Sequence, residues 1–208
     1  MTEIVLIRHA ETELNRAGVF RGRLDVPLND RGRRQAGRLA EAFEGAALDG
    51  VYTSPLVRAT ETARAVASGH GLEPVVDEAL NNIDLGTWQG RKKTEVEREE
   101  PELWRLWTTD PDRLEIPGGE TLAGVGERAF GRALELLREH DAGRIAVVSH
   151  RSVIKLLAAR MLGIESGGFW RLYMDNAGYS VFAHRDGGFV LIKWNEACHL
   201  TERVVEDR

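Results

Sequence analysis

Arg8 and His9 stand side by side at the end of the apolar run Ile4-Val5-Leu6-Ile7. His150 closes a second such run, Ile145-Ala146-Val147-Val148-Ser149, and Arg58 follows Ser54-Pro55-Leu56-Val57. Imidazole has an ordinary pKa that leaves a neutral, nucleophilic form available near neutral pH. Guanidinium is a permanent cation whose planar fork of donors matches the oxygens of an anion. Two imidazoles and two guanidiniums around one crevice suit a phosphoryl group, because a neutral ring nitrogen can attack phosphorus. Each residue alone has a plainer reading. Arg8-His9 could be a solvated strand end, and Arg58 a surface arginine on an amphipathic helix.

The elements decide whether they converge. Unbroken apolar runs such as Ile4–Ile7 suit strands buried on both faces of an α/β sheet. The carboxyl ends of such strands border the ligand crevice, so Arg8-His9 and His150 are expected on one edge. A glycine-punctuated loop from Arg16 to Asn29 carries Arg21, Gly22, Arg23 and Asp25. Asp30 is expected to cap a helix with apolar Ala36, Leu39, Ala40 and Phe43, ended by Gly45. Asp49–Thr53 reads as a strand. Ser54-Pro55 is expected to cap and open the next helix, with proline at its first position. Arg58 would then lie in the first turn, where a helix N-terminus attracts anions.

Pro74–Asp77 suggests a short strand and Leu80–Gly90 an irregular loop around Trp88. Lys92–Thr109 looks helical and highly charged, and residues 92–117 read as a small helical insertion or lid over the site. A long helix follows from about Thr121 to Glu139. A buried helix over residues 153–162 stops at Gly163. Tyr179–Ala183 and Phe189–Trp194 form a hairpin turning at Asp186-Gly187-Gly188. The pattern predicts one domain over residues 1–208, a three-layer α/β/α arrangement around a mainly parallel sheet.

The chain has 208 residues, enough for a sizeable core in one domain. Its net charge of -5 argues against broad nucleic-acid binding, which needs a basic face. An anion site must therefore be a local concentration of arginine and histidine. Cys198 is the only cysteine, which excludes an internal disulfide and a multi-cysteine zinc site. Arginines beside the histidines oppose a metal pocket, and no P-loop pattern occurs. No stretch has the length of a membrane span and no signal peptide precedes the first strand, so the cytoplasm is the expected compartment. A homodimer is open.

The motifs carry a resemblance. Arg8-His9-Ala10-Glu11-Thr12 with Asn15, Arg21-Gly22, Asp25-Val26-Pro27-Leu28, Ser54 to Ala63, Pro117-Gly118-Gly119-Glu120-Thr121 and Val148-Ser149-His150 follow in order along nearly the whole chain. Together they resemble the histidine phosphatase superfamily, the phosphoglycerate-mutase-like group, in its smaller phosphatase branch. The closing Asn195–Leu200 is similar to broad-specificity and α-ribazole-phosphatase-like tails. The resemblance implies a phosphomonoester hydrolase of small metabolites that needs no cofactor or metal. His9 would be the nucleophile that forms a phosphohistidine. Arg8, Arg58, His150 and Asn15 would hold the transferring group.

One departure bears on chemistry. Family members usually carry a carboxylic acid, most often glutamate, two residues before the position of Asp84, and here that residue is Asn82. A positioned general acid is typically worth about 10²–10⁴-fold in rate. Either Asp84 takes over, or the substrate has a good leaving group, or the enzyme is weak or altered. Asp84 also has the reading of a structural loop carboxylate. Arg151, where many relatives have glycine, could contact substrate or cap the following helix. Arg21, Gly22, Arg23 and Trp107 are further candidate substrate contacts, with solvation or core packing as their alternatives. Two other functions stay in view. A mutase is disfavoured by the short 92–117 insertion, and a non-hydrolytic phospholigand-binding pseudoenzyme is suggested by Asn82.

Overall fold

Ile4, Val5, Leu6 and Ile7 alternate between two separate cores, and all four are fully buried. The computed structural model describes residues 1–164 and 167–201. Its strands are β1 (Thr2–Arg8), β2 (Gly50–Thr53), β3 (Val75–Val76), β4 (Gly143–Ser149), β5 (Tyr179–Arg185) and β6 (Gly188–Glu196). They form one sheet in the order β3-β2-β4-β1-β5-β6. The first four are mutually parallel, while β5 runs antiparallel to β1 and β6 antiparallel to β5. In register, Arg8 faces Ser149, so the two strand ends carrying His9 and His150 lie side by side.

Helices α1 (Asp30–Ala42) and α2 (Val57–Ser68) cover the face of Val5 and Ile7. Helices α5 (Leu122–Glu139) and α6 (Arg151–Met161) cover the face of Ile4 and Leu6. This is the three-layer α/β/α arrangement around a mainly parallel sheet. Between β3 and α5 lie α3 (Lys93–Glu99) and α4 (Pro101–Thr109), which pack Val96 and Trp107 on the second core. Among the described residues no helix is long and apolar enough to cross a membrane.

Several local expectations are corrected. Asn29, not Asp30, caps α1, its side chain accepting from the Gly32 N–H at 2.7 Å. Lys92–Thr109 is helical as expected, divided in two because Pro101 has no N–H to extend α3 and instead starts α4. Ser54-Pro55 lies ahead of α2 rather than opening it. The first amide of α2, Val57, donates to Asp25 at 2.7 Å, so a carboxylate from the distant 16–29 loop serves that helix end. Arg58 still falls in its first turn.

Candidate active site

The end of β1 is fixed by main-chain bonds from both sides. The His9 N–H donates to Ser149 O at 2.9 Å, and the Arg8 N–H to Gly178 O at 3.0 Å. The Ala177 N–H returns to the carbonyls of Arg8 and His9, and Asn176 Nδ2 donates to His9 O at 3.0 Å. Ala177 is held at φ +54°, a left-handed conformation that costs a non-glycine residue energy and recurs at functional sites. Arg8 Nη1 donates to Met174 O at 2.7 Å, so the 174–178 loop aims the guanidinium as well as the backbone.

His9 and His150 meet with ring centroids 5.1 Å apart, and Arg8, His9, Arg58 and His150 are each at most 3% exposed. His9 Nδ1 lies 2.7 Å from Ala10 O. A carbonyl only accepts, so this bond assigns the proton to Nδ1 and the lone pair to Nε2. Burial, then Arg58 and Arg8, hold the His9 pKa well below the ordinary histidine value. Burial, then Arg58 and His9 itself, do the same to His150. Both rings are therefore neutral at pH 7. His150 Nε2 pairs with Ser54 Oγ at 2.7 Å, while its buried Nδ1 has no hydrogen-bond partner.

Arg58 is not on the open wall of the cavity. It sits behind, with Nη1 donating to Leu24 O at 2.6 Å and Nη2 to Gly22 O at 3.0 Å, and its buried Nε makes no hydrogen bond. Burial and the neighbouring Arg21 lower its pKa to about 10, which leaves it cationic at neutral pH. It thus acts on both imidazoles as a fixed positive charge.

A cavity of about 430 Å³ opens in front of these groups. Arg8, His9, Asn15 and His150 form its floor. Asn15 Oδ1 accepts from Thr12 N and Thr12 Oγ1, both at 2.8 Å, which fixes the orientation of the amide. Arg21 and Gly22 line the cavity, and Gly22 O also accepts from Asn82 Nδ2 at 2.7 Å. Gly22 has φ +48°, a conformation that strains any other residue, and a Cβ there would displace the Gln89 side chain, whose Oε1 lies 2.5 Å from its position. Asn82 faces the cavity, with its backbone carbonyl held by Arg23 Nε and Arg128 Nη2, each at 3.1 Å. Lys93 and Thr94 of the insertion and Arg151 and Ser152 of α6 complete the polar rim.

Three further candidates are corrected in place or role. Asp84 does not line the cavity. Its Oδ1 accepts from Gly86 N at 2.9 Å and its Oδ2 lies 3.7 Å from Arg23, so it shapes its own loop. Arg151 is the first residue of α6 and His150 occupies the cap position, so Arg151 is a rim residue rather than a cap. Arg23 is also absent from the cavity wall and pairs with Glu120 at 3.1 Å. Trp107 touches the cavity but packs edge-on against Trp170, with centroids 5.0 Å apart. Sequence reading missed Ser54, Met174 and Asn176, whose contributions cross the sheet and carry no local signal. Among the described residues no cluster of three or more His, Cys, Asp or Glu could hold a metal ion.

A family model of the histidine phosphatase superfamily (branch 1) matches residues 4–197. Phosphoserine phosphatase 1 of Hydrogenobacter thermophilus is 37% identical over 99% of this chain and 98% of its own. The adenosylcobalamin/alpha-ribazole phosphatase of Escherichia coli is 32% identical over 84% of this chain and 86% of its own. Among solved structures, YhfR of Bacillus stearothermophilus superposes with a TM-score of 0.92 at 28% identity, covering 96% of this chain and 99% of its own. A mutant phosphoserine phosphatase of Entamoeba histolytica, in complex with phosphoserine, gives 0.87 at 29% identity over 96% and 100%. The strand-end histidines, the sheet order and these matches agree, and the chain belongs to branch 1 of the histidine phosphatase superfamily.

Proposed function

We propose that the chain hydrolyses small phosphomonoesters through a covalent phosphohistidine on His9, without a metal ion. The observation that carries this is a pair of buried, neutral imidazoles 5.1 Å apart, bracketed by the Arg8 and Arg58 guanidiniums. Relatives named as phosphoserine and alpha-ribazole phosphatases support the reaction class.

His9 Nε2 attacks phosphorus in line with the departing oxygen, while Nδ1–H stays on Ala10 O and delocalises the charge that develops on the ring. Arg8 and the His150 ring meet the equatorial oxygens, Arg58 adds fixed positive charge from behind them, and Asn15 fixes the edge of the floor. Because these groups are held before substrate arrives, little reorganisation is left for the chemical step. Water then displaces His9 from phosphorus. No carboxylic acid stands at Asn82 to protonate an alkoxide, so turnover depends on the leaving group. The whole chain acts as one domain, with Lys93, Thr94 and Trp107 of the 92–117 insertion bordering the site.

The test is a screen of phosphomonoesters against wild type and His9→Ala, read by released phosphate. Release by wild type and none above background by the variant is expected. Phosphate binding without turnover on any ester, aryl esters included, overturns the hydrolase reading in favour of a binding protein.

A further inference from the structure

The 174–178 loop aims Arg8 and His9, and the end of β6 holds that loop. Tyr179 pairs with Glu196 and Val181 with Lys193, so Trp194 and Asn195 together stand opposite Ser180. Such a bulge bends a strand and re-aims a side chain. Asn195 has φ +51°, a left-handed conformation that asparagine adopts more readily than most residues. Its side chain grips the loop: Oδ1 accepts from the Asp175 N–H at 2.8 Å, and Nδ2 donates to Asp175 Oδ2 at 3.0 Å. The Asn195 N–H donates to Ser180 Oγ at 2.9 Å, and that hydroxyl reaches Met174 Sδ at 3.5 Å. Met174 supplies the carbonyl that accepts from Arg8 Nη1. A Cβ on Gly178 would lie 2.8 Å from Asn195 Oδ1, so loop and bulge are closely apposed.

The residues after β6 hold the other end of the loop. Ala197 and Leu200 are buried in the same core as Ala177, and the Leu200 N–H returns to Ala197 O at 3.0 Å. This turn places the His199 ring beside Tyr179, with centroids 6.0 Å apart, and its Nε2 2.9 Å from Ala177 O. A carbonyl only accepts, so Nε2 carries the proton and donates it. Ala177 is therefore bonded on both sides, its N–H to the carbonyls of Arg8 and His9 and its own carbonyl to His199. A residue held at φ +54° stays there only while its surroundings over-determine it.

Resting on the phosphohistidine reading above, we propose that Asn195 and His199 are positioning residues for that reaction. Through them the chain after β5 locks the 174–178 loop, and with it the Arg8 guanidinium and the His9 backbone, in the alignment the transition state needs. Neither residue lines the cavity, so each acts only through the loop. The leverage is large, because misplacing a reacting group by about 1 Å can cost about 10²-fold in rate.

The experiment uses Asn195→Gly, which keeps the left-handed backbone accessible and removes the amide, and His199→Phe, which keeps a ring beside Tyr179 and removes the donor. His199→Gln returns an N–H donor to the same neighbourhood. Each is read by kcat on p-nitrophenyl phosphate and by the Kd of vanadate, which mimics the trigonal-bipyramidal phosphorus, against the Kd of inorganic phosphate. A Kd belongs to the folded site, so a smaller folded fraction alone does not move it. Asn195→Gly and His199→Phe should each lower kcat and weaken vanadate about tenfold or more, with phosphate changed by less than about threefold, because alignment counts most where bonds are partly made. His199→Gln should restore most of both losses. Should Asn195→Gly not fold, the His199 pair decides. Vanadate and phosphate weakened alike, kcat lost with vanadate affinity intact, wild-type values in either folded variant, or His199→Gln no better than His199→Phe overturns the proposal and leaves the phosphatase reading standing. That reading is judged on wild type: no release from p-nitrophenyl phosphate and no phosphohistidine overturn it, and this inference with it.

Discussion

Replacing Asn82 with Asp changes one atom of the cavity wall and little else. Asp has the shape of Asn, and the backbone at this position is pinned by Arg23 and Arg128 on its carbonyl. The new oxygen would take the place of Nδ2, 2.7 Å from Gly22 O. Two bare oxygens repel at that distance, so the contact favours the protonated carboxyl and raises its pKa, while Arg21 and Arg8 nearby oppose the rise. The variant therefore holds a proton that wild type lacks, on the wall that faces His9. General acids are worth about 10²–10⁴-fold. A position not tuned for the task should give the low end, about 10²-fold or about 2.7 kcal/mol of barrier. The assay is kcat against pH for glycerol phosphate and p-nitrophenyl phosphate. The alkyl ester should gain about 10²-fold and acquire an alkaline limb as the new acid ionises. The aryl ester should change by less than about threefold, because its phenolate departs without a proton. An equal gain on both esters, or none on the alkyl ester, refutes the missing-acid reasoning.

Arg58→Lys keeps the charge but loses the fork that serves Gly22 O and Leu24 O together, giving up one charge-assisted hydrogen bond and leaving Gly22 O to Asn82 Nδ2 alone. The variant should lose about 1–3 kcal/mol in denaturant unfolding and about tenfold or more in kcat, with kcat within twofold of wild type counting against Arg58 as a site group. Protonation of His9 and His150 is disfavoured in the folded state, so between the ordinary histidine pKa and their lower folded values the unfolded chain binds more protons. Stability is full above about pH 6.5 and falls as pH drops through that window, so Tm should decline from pH 7.5 to 5 by less in His150→Gln than in wild type. Trp88 is fully buried and donates Nε1–H to Glu100 at 3.0 Å, so Trp88→Ala should cost about 3–5 kcal/mol in chemical denaturation, and a cost under 1 kcal/mol contradicts its place under the insertion.

The layers of the fold were legible because each strand or helix announces its buried face locally. Ile4–Ile7 and Ile145–Val148 read as two-faced strands, and their parallel pairing puts His9 and His150 together. What failed to show locally depends on partners far away in the chain. The end of α2 is served by Asp25 rather than Ser54, and Ser54 is released to hold His150. Arg58 reads as a surface residue on its own helix, yet carbonyls from the 16–29 loop bury it. Asp84 has the right chemistry for an acid, but its loop turns it toward Gly86 and Arg23. Its neighbour Gly86 explains the turn. At φ +47° its missing Cβ would sit 2.2 Å from Pro117 O, so the 80–90 loop is clamped against the turn before α5 with Asn82, not Asp84, facing inward.

The central claim is a covalent bond between phosphorus and His9 Nε2, and a rapid-quench experiment with an aryl phosphate labelled in its phosphoryl group tests it most directly. The account predicts a label that is stable in base and labile in acid, stoichiometric with enzyme in the burst, located on the peptide holding His9 and absent from His9→Gln. Steady phosphate release with no label trapped on the protein, or label retained by His9→Gln, contradicts it.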